Sequence, residues 1–359
     1  MNLSKMIALS FFMLFAGSVS ASDNQMNQNR ATTQEELASG YNAPARYDVF
    51  GAWDLHLAGS FIFWQPKQQA LAFGVRSAAA PGAQTTSRGD VIDLDYKFKP
   101  GFKVALGLGF DYDNWDLLAR YTWLYQDESK SYPPLSGGQG IEALWKGGGN
   151  DNPILAITIV EAKAKWDLKL NLIDLELGRA YYVGSKLTLR PFFGLRGTII
   201  DQDYTVHYTA NSITFKTTVD QDSWFVGLRS GVGTNYILGA GFRIFSNAAL
   251  ALGYERFDVT VKEETFSAPS TLYLYYKDKL GQIIPNPELG IGLGWGTYCL
   301  NDSCHFDLGI SYDFQVIFNQ NMMENIYCKA ANTSTNNEFS GQSGDLFLQG
   351  LTLCLRFDF

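Results

Sequence analysis

The sequence predicts an all-β fold: a transmembrane antiparallel up-and-down barrel, with 10–12 strands favoured and up to 16 admitted. Three observations carry that reading. The N-terminus is built like a secretory leader, segment after segment alternates strictly between apolar and polar residues, and the last such segment ends on an aromatic residue, Phe359. Composition agrees. Of 359 residues 46% are apolar and 14% aromatic, yet the mean hydropathy is only -0.09, so apolar side chains have to be interleaved with polar ones. Beyond the leader no uninterrupted run of about 18 apolar residues exists, which excludes helical spans. Aromatic and aliphatic content excludes a disordered chain. A net charge of -8 leaves no basic surface for nucleic acid, and no nucleic-acid partner is expected.

Residues 1–21 read as a signal peptide: Lys5, an apolar run from Met6 to Phe15, and the small residues SVSA ending at Ala21. Residues 22–46 are polar without period-2 alternation and read as a periplasmic N-terminal extension. Residues 47–359 are assigned to the barrel.

The first strand alternates Trp53, Leu55, Leu57, Phe61 and Phe63 with Asp54, His56 and Ser60. The next apolar row keeps one phase from Ile92 to Phe110. It is either one long strand or a hairpin turning through Lys99 to Gly101, because only a three-residue loop preserves the phase. Trp115 to Tyr125 alternates again. Between Trp166 and Leu177 the phase slips: Leu168, Leu170 and Leu172 are even, Ile173, Leu175 and Leu177 odd. One extra residue, a β-bulge, accounts for that. Leu187 to Ile199 resumes the pattern, and weaker versions cover 223–238, 248–262 and 287–298. In CHFDLGISYDFQVIFN, Phe306 through Phe318 place seven apolar residues on one face.

Short connections near 111–114, 183–186, 239–247 and 299–303 alternate with long ones at 65–90, 127–154, 201–222, 263–286 and 320–343. That is the expected pattern when one barrel rim faces the periplasm and the other faces outward. One strand at 91–110 gives ten strands; a hairpin there, with a strand at 70–76, gives twelve. Alternating pieces at 203–219 and 271–277 would raise the number further.

A β protein can span lipid only as a closed sheet, with its apolar stripe facing hydrocarbon and its polar stripe facing inward. Soluble sandwiches alternate too. Aromatic clusters at strand ends (Trp53, Phe63 and Trp64; Trp115, Trp123 and Tyr125; Tyr181 and Tyr182) and strands of 11 to 16 residues favour the membrane. The inward stripe then carries Asp54, Asp93, Lys97, Lys103, Asp116, Arg120, Arg190, Arg196, Arg229, Asp307, Asp313 and Arg356 as pore-lining candidates. Mixed charge rings of this kind set ion preference, or they are mutually salt-bridged with no selectivity role. The small inward residues Gly101, Ala105, Gly107, Gly109, Gly309 and Ser311 give either open space or close packing.

The chain ends GLTLCLRFDF, with Leu351, Leu353, Leu355, Phe357 and Phe359 on one face. This resembles the C-terminal signal that the outer-membrane assembly machinery recognises. The strings GYNAPAR, SFIFWQ, YKFKPGFKVALGLGFD, NWDLLARYTW, LIDLELGRAYYVGSKLTLRPFFGLRGTIIDQ and GLRSGVGTNY resemble the major outer membrane protein family of Legionella and the MOMP-like porins of environmental Chlamydiae, from about residue 41 to the C-terminus. The resemblance implies a surface-exposed porin of a Gram-negative outer membrane. Those relatives are often cysteine-rich and crosslinked, whereas this chain has 4 cysteines, all after residue 298.

Cys299 and Cys304 flank a turn and are the disulfide candidates in an oxidising compartment. A metal site on Cys299, Cys304 and His305 is disfavoured because secreted thiols oxidise. The 3 histidines (His56, His207, His305) accompany no GxSxG or HExxH motif, so neither catalysis nor a cofactor is expected. The function expected is a water-filled channel for passive diffusion of small polar solutes and ions. The alternative is a structural or adhesive surface barrel whose long extracellular loops contact host or envelope partners. Outer-membrane lipid and the assembly machinery are the implied partners, with a homo-oligomer left open.

Overall fold

The computed structural model describes residues 42–47, 49, 54–77, 89–110, 112–132, 140–145, 159–210, 213–266, 271–300, 303–323, 325–329, 336–340 and 343–359. The leader and nearly all of the 22–46 extension lie outside them. Ten strands build the wall: β1 (Leu55–Gln68), β2 (Lys99–Gly109), β3 (Trp115–Tyr132), β4 (Glu161–Arg179), β5 (Leu187–Ala210), β6 (Ile213–Gly239), β7 (Phe242–Thr265), β8 (Leu272–Cys299), β9 (Cys304–Asn321) and β10 (Gly344–Asp358). Each pairs antiparallel with its neighbour in sequence, and β1 with β10 closes the ring. The closure removes the free edges that hydrocarbon cannot solvate.

Tight turns join β2 to β3, β6 to β7 and β8 to β9 at one rim, which the short-turn rule places in the periplasm. At β6–β7 two residues suffice, because Ala240 and Gly241 both adopt positive φ (52° and 81°), as a twist-matched two-residue hairpin requires. From that rim upward the outer face is apolar. On β7, Phe242, Ile244, Leu250, Leu252 and Tyr254 point outward, and Arg256 and Asp258 follow. Twelve residue steps at a tilt near 40° give roughly 30 Å of height, a membrane's worth. Phe102, Trp123, Trp224 and Tyr254 ring the upper border, and Trp295, Phe306, Phe357 and Phe359 the lower. Trp64 is no girdle residue: it faces inward, 2% exposed.

Several sequence expectations are corrected here. The stretches 201–222 and 263–286 are not loops. Up to Ala210 and from Ile213, and up to Thr265 and from Leu272, they are the outer parts of β5 to β8, which run 24 to 28 residues. The slip at 166–177 is not a bulge. β4 pairs with β5 without a break from Glu161↔Thr209 to Gly178↔Phe192, and every even residue from Ala162 to Gly178 points inward. What changes is the surroundings. Below the border, Ile173, Leu175 and Leu177 meet lipid outside; above it, Lys165, Asp167 and Lys169 meet water outside while Trp166, Leu168 and Leu170 pack inside. The row from Ile92 to Phe110 is neither one strand nor a hairpin. Val91–Ile92 belongs to a separate small sheet, and β2 starts at Lys99.

That small sheet (Gly74–Ser77, Val91–Ile92, Gly140–Ala143) comes from the β1–β2 and β3–β4 connections. With Leu71, Phe73, Leu94 and Trp145 it forms one apolar core with Trp166, Tyr204, Tyr208 and Phe215 of the wall. The tyrosine hydroxyls are satisfied by the insert's backbone: Tyr204 donates to the Leu71 carbonyl at 2.7 Å and Tyr208 to that of Phe73. The outer third of the barrel is therefore a packed body.

One ladder stops short. β8 pairs with β7 along its length but with β9 only from Glu288↔Gln315 to Cys299↔Cys304.

Candidate functional site

Within the membrane-level lumen, charge is concentrated in one layer. β4 supplies Asp174 and Glu176, β5 supplies Arg190 and Arg196, β6 Arg229, β3 Asp116 and Arg120, and β8 Glu288. Alternation turns all of them inward. Arg196 holds Asp174 through two bonds (2.6 and 2.8 Å) and Glu288 through one of 2.7 Å. Arg229 donates to Glu176 at 2.5 Å and also to Glu288. Arg190 reaches Glu176 at 3.0 Å and grips Asp116 with Nε and Nη2. Arg120 stands 3.4 Å from Glu176. Arg196 and Arg229 are 2% and 1% exposed. Four cations face four anions, so the layer is neutral, as burial at low dielectric demands.

Glu288 is the clasp. It projects from β8, nearly across the ring from β4, and both buried arginines converge on it. A second group packs against the layer. Lys103 pairs with Asp313 at 2.8 Å and lies 4.3 Å over the Trp64 ring, while Thr352 donates to Asp313 at 2.7 Å. A cavity of about 60 Å³ remains among these groups, bounded also by Leu172, Leu289, Phe314 and Gln315. It holds roughly two waters. Where a water-filled bore was expected, side chains fill the lumen. The small inward residues serve that packing: a Cβ on Gly107 would strike the His56 ring, and one on Gly178 the Arg190 guanidinium.

The periplasmic mouth is crossed by residues 43–47. Ala45 donates its N–H to the Ala180 carbonyl and Tyr182 to that of Ala43. Arg46 enters beside Gly109 and pairs with Asp54 at 3.0 Å. Tyr47 stacks on His305 at 3.9 Å, and the Arg356 guanidinium lies 5.5 Å from the centre of its ring. His305 and Arg356 share Asp358, and Arg243 pairs with Asp307.

Of the sequence-predicted residues, Lys103, Asp116, Arg120, Arg190, Arg196, Arg229, Asp307, Asp313 and Arg356 therefore line the lumen, and Asp54 stands at its mouth. Asp93 and Lys97 do not. They lie in the connection before β2, where Asp93 accepts from the Leu94 N–H and Lys97 reaches Glu128 at 3.9 Å. Asp174, Glu176 and Glu288 were missed, although the inward parity of Arg196 and Arg229 implies buried acids to balance them. Cys299 and Cys304 are register partners across their turn, and both are free thiols here, Cys299 Sγ lying 3.3 Å from the Cys304 carbonyl. Leu351, Leu353, Leu355 and Phe357 face outward on β10, and Phe359, one residue past its end, is exposed too.

A family model described as the Legionella pneumophila major outer membrane protein precursor matches residues 48–359. No curated protein matches the chain. Similar solved structures include a Pseudomonas aeruginosa FadL homologue, at 7% identity over 85% of this chain and 89% of that one, TM-score 0.28. Others are the P. putida toluene transporter TodX, at 8% identity over 85% and 89%, TM-score 0.22, and the channel DcaP of Acinetobacter baumannii, at 10% identity over 88% and 100%, TM-score 0.13. At such scores none of them bears on what this chain does.

Proposed function

The chain belongs to the Legionella major outer membrane protein family and resides in the outer membrane; from that premise we propose that it is a gated porin, passing small ions and polar solutes when its charged layer opens. The observation that carries this reading is the membrane-level lumen itself. Eight charged side chains from five strands, neutral as a set, bridge the bore through Glu288. Separating the arginines from Glu288 leaves a bore lined by both signs of charge, the lining that lets small ions pass. The described arrangement is then the shut one, with the strap at 43–47 below and the apolar insert above. No catalytic or cofactor role belongs to this reading.

The competing reading, a surface barrel presenting its outer body to host or envelope partners, draws on the packed core above the membrane. Planar bilayers separate the two. Purified, refolded protein should give stepwise conductance; silence from both the native chain and a Glu288→Gln variant overturns the porin reading.

A further inference from the structure

Glu255 is a buried carboxylate without a cation. It faces inward from β7 at the upper border of the apolar band, opposite Phe225 of β6, and is 1% exposed. Among the described residues neither of its oxygens has a hydrogen-bond partner and no charged side chain acts on it; its polar neighbours are Ser223 and Gln320. The other acids described in the membrane-level lumen each pair with an arginine or a lysine. The charged layer below is neutral by itself and has no positive charge left over. Taking a lone carboxylate out of water is costly unless a positive charge goes with it.

The wall is deformed to bring oxygen to this carboxylate. β8 pairs with β9 only as far as Glu288, and beyond that point β9 bends inward. From Ile317↔Leu346 to Asn321↔Gly344 β9 advances four residues while β10 advances two, and Asn319 takes a φ of 50°. Bulges and left-handed backbone at a residue other than glycine cost stability, and they gather where a side chain has to be re-aimed. Here that side chain is Gln320, itself fully buried. Gln221 of β6 clamps the backbone around it: Nε2 donates to the Gln320 carbonyl at 2.7 Å, and Oε1 accepts from the Met322 N–H at 2.8 Å. Gln320 Nε2 donates to Ser223 Oγ at 3.0 Å, which fixes the amide's orientation and leaves its Oε1 unpartnered. Glu255 and Gln320 thus bring three unpartnered acceptor oxygens, with the Ser223 hydroxyl beside both.

Oxygen ligands carrying one negative charge suit a small, hard, monovalent cation. A divalent ion would leave a positive charge uncompensated in a low dielectric. We propose that Glu255, Ser223 and Gln320 form a sodium site in the upper lumen, the ion held by carboxylate, hydroxyl and amide oxygens. The bend of β9 is what completes the site. This inference requires the folded barrel but not conductance, so bilayer silence would leave it standing.

Binding of radioactive sodium to the full chain in dodecyl maltoside reads the site directly, at about pH 8, where an ordinary carboxyl is ionised. The native protein should bind one ion per chain, saturably, displaced by unlabelled sodium and not by tetramethylammonium. Glu255→Gln, which keeps the shape and removes the charge, should abolish binding. Ser223→Ala, which removes a neutral ligand, should raise the half-saturating concentration by about 2- to 10-fold. A ligand of the folded state also stabilises it. At about ten times its half-saturating concentration, sodium should raise the native unfolding midpoint by about 2–3 °C over tetramethylammonium at equal ionic strength, and leave that of Glu255→Gln unmoved. If Glu255→Gln does not fold, Gln320→Leu takes its place, with binding weakened at least as much as by Ser223→Ala. The site is overturned by a lack of saturable sodium binding, by binding that these variants leave unchanged, or by displacement that calcium achieves at lower concentration than sodium.

Discussion

Replacing Glu288 by Gln tests the charged layer at its most connected point. The native carboxylate accepts from both Arg196, at 2.7 Å, and Arg229. A hydrogen bond to a charged acceptor contributes about 1.5–3 kcal/mol and a neutral one about 0.5–1.5. Arg196 and Arg229 donate to different oxygens of the carboxylate, and an amide has one acceptor oxygen. It keeps one contact, weakened by about 1 kcal/mol, and loses the other, so the shut layer loses about 3 kcal/mol. If opening requires both contacts to break, the opening equilibrium rises on the order of 100-fold. The substitution also turns four anions against four arginines into three against four, so the open bore should favour anions. Single-channel recording of native and variant protein at one voltage reads open probability, and a salt gradient reads the reversal potential. An open probability unchanged or lowered, with no shift toward anions, would refute the reasoning: Glu288 would then be a structural charge only.

Three further outcomes follow from the structure. Asp220 and Asp203 are opposite one another on the outer body, and Asp222 faces Asp201. Partial burial and then those neighbours push the Asp220 and Asp222 carboxyls above their usual 3.8. The folded state therefore binds protons more tightly than the unfolded one, and stability falls as pH rises from that value. Asp220→Asn should gain about 0.2–1 kcal/mol at neutral pH and lose the advantage below the ordinary carboxylate range, as guanidinium midpoints across pH will show. Tyr47→Ala removes the ring stacked on His305, so maleimide labelling of the lumen thiol Cys354 should quicken severalfold, while unchanged kinetics would mean that 43–47 does not cover the mouth. Deleting Phe359 removes two backbone bonds to Leu55 that close β10 on β1, and the heat-modifiable, assembled fraction on gels should drop sharply.

The membrane-embedded half of the fold was legible because its physics has one sign: apolar outside, polar inside. Leu351 to Phe359, Trp115 to Tyr125 and three of the short turns fell where alternation put them; the fourth, expected at 239–247, is only Ala240 and Gly241, since Phe242 to Asn247 already pair within β7. The outer half was not, because water lies outside it and a packed core inside, so apolar residues change faces while the backbone runs straight on. Leu172 and Ile173 sit on opposite faces of β4, and both are where their surroundings want them. Read with one rule, that change looks like an inserted residue, and 201–222 looks like loop. The same limit hid Asp174 and Glu176, which stand one and three residues beyond the change at Ile173. Glu288 lay behind two prolines that argue against a strand, and which charges meet across the bore depends on ring order, which alternation does not encode.

The change of faces along β4 to β8 also works as a depth gauge. On β4 it falls at Ile173, on β6 between Asp222 and Trp224, on β7 between Tyr254 and Arg256. Sinking the molecule would draw Lys169, Asp222 and Arg256 into the acyl boundary, Lys169 and Arg256 at up to about 1 kcal/mol each there and about 2–4 at the midplane, Asp222 at less. Raising it would strand Ile173, Trp224 and Tyr254 in water. The two penalties oppose each other on several strands at once, so the protein's vertical position is written into its sequence. The packed head is thereby held at a fixed distance above the bilayer whatever the lipids around it do.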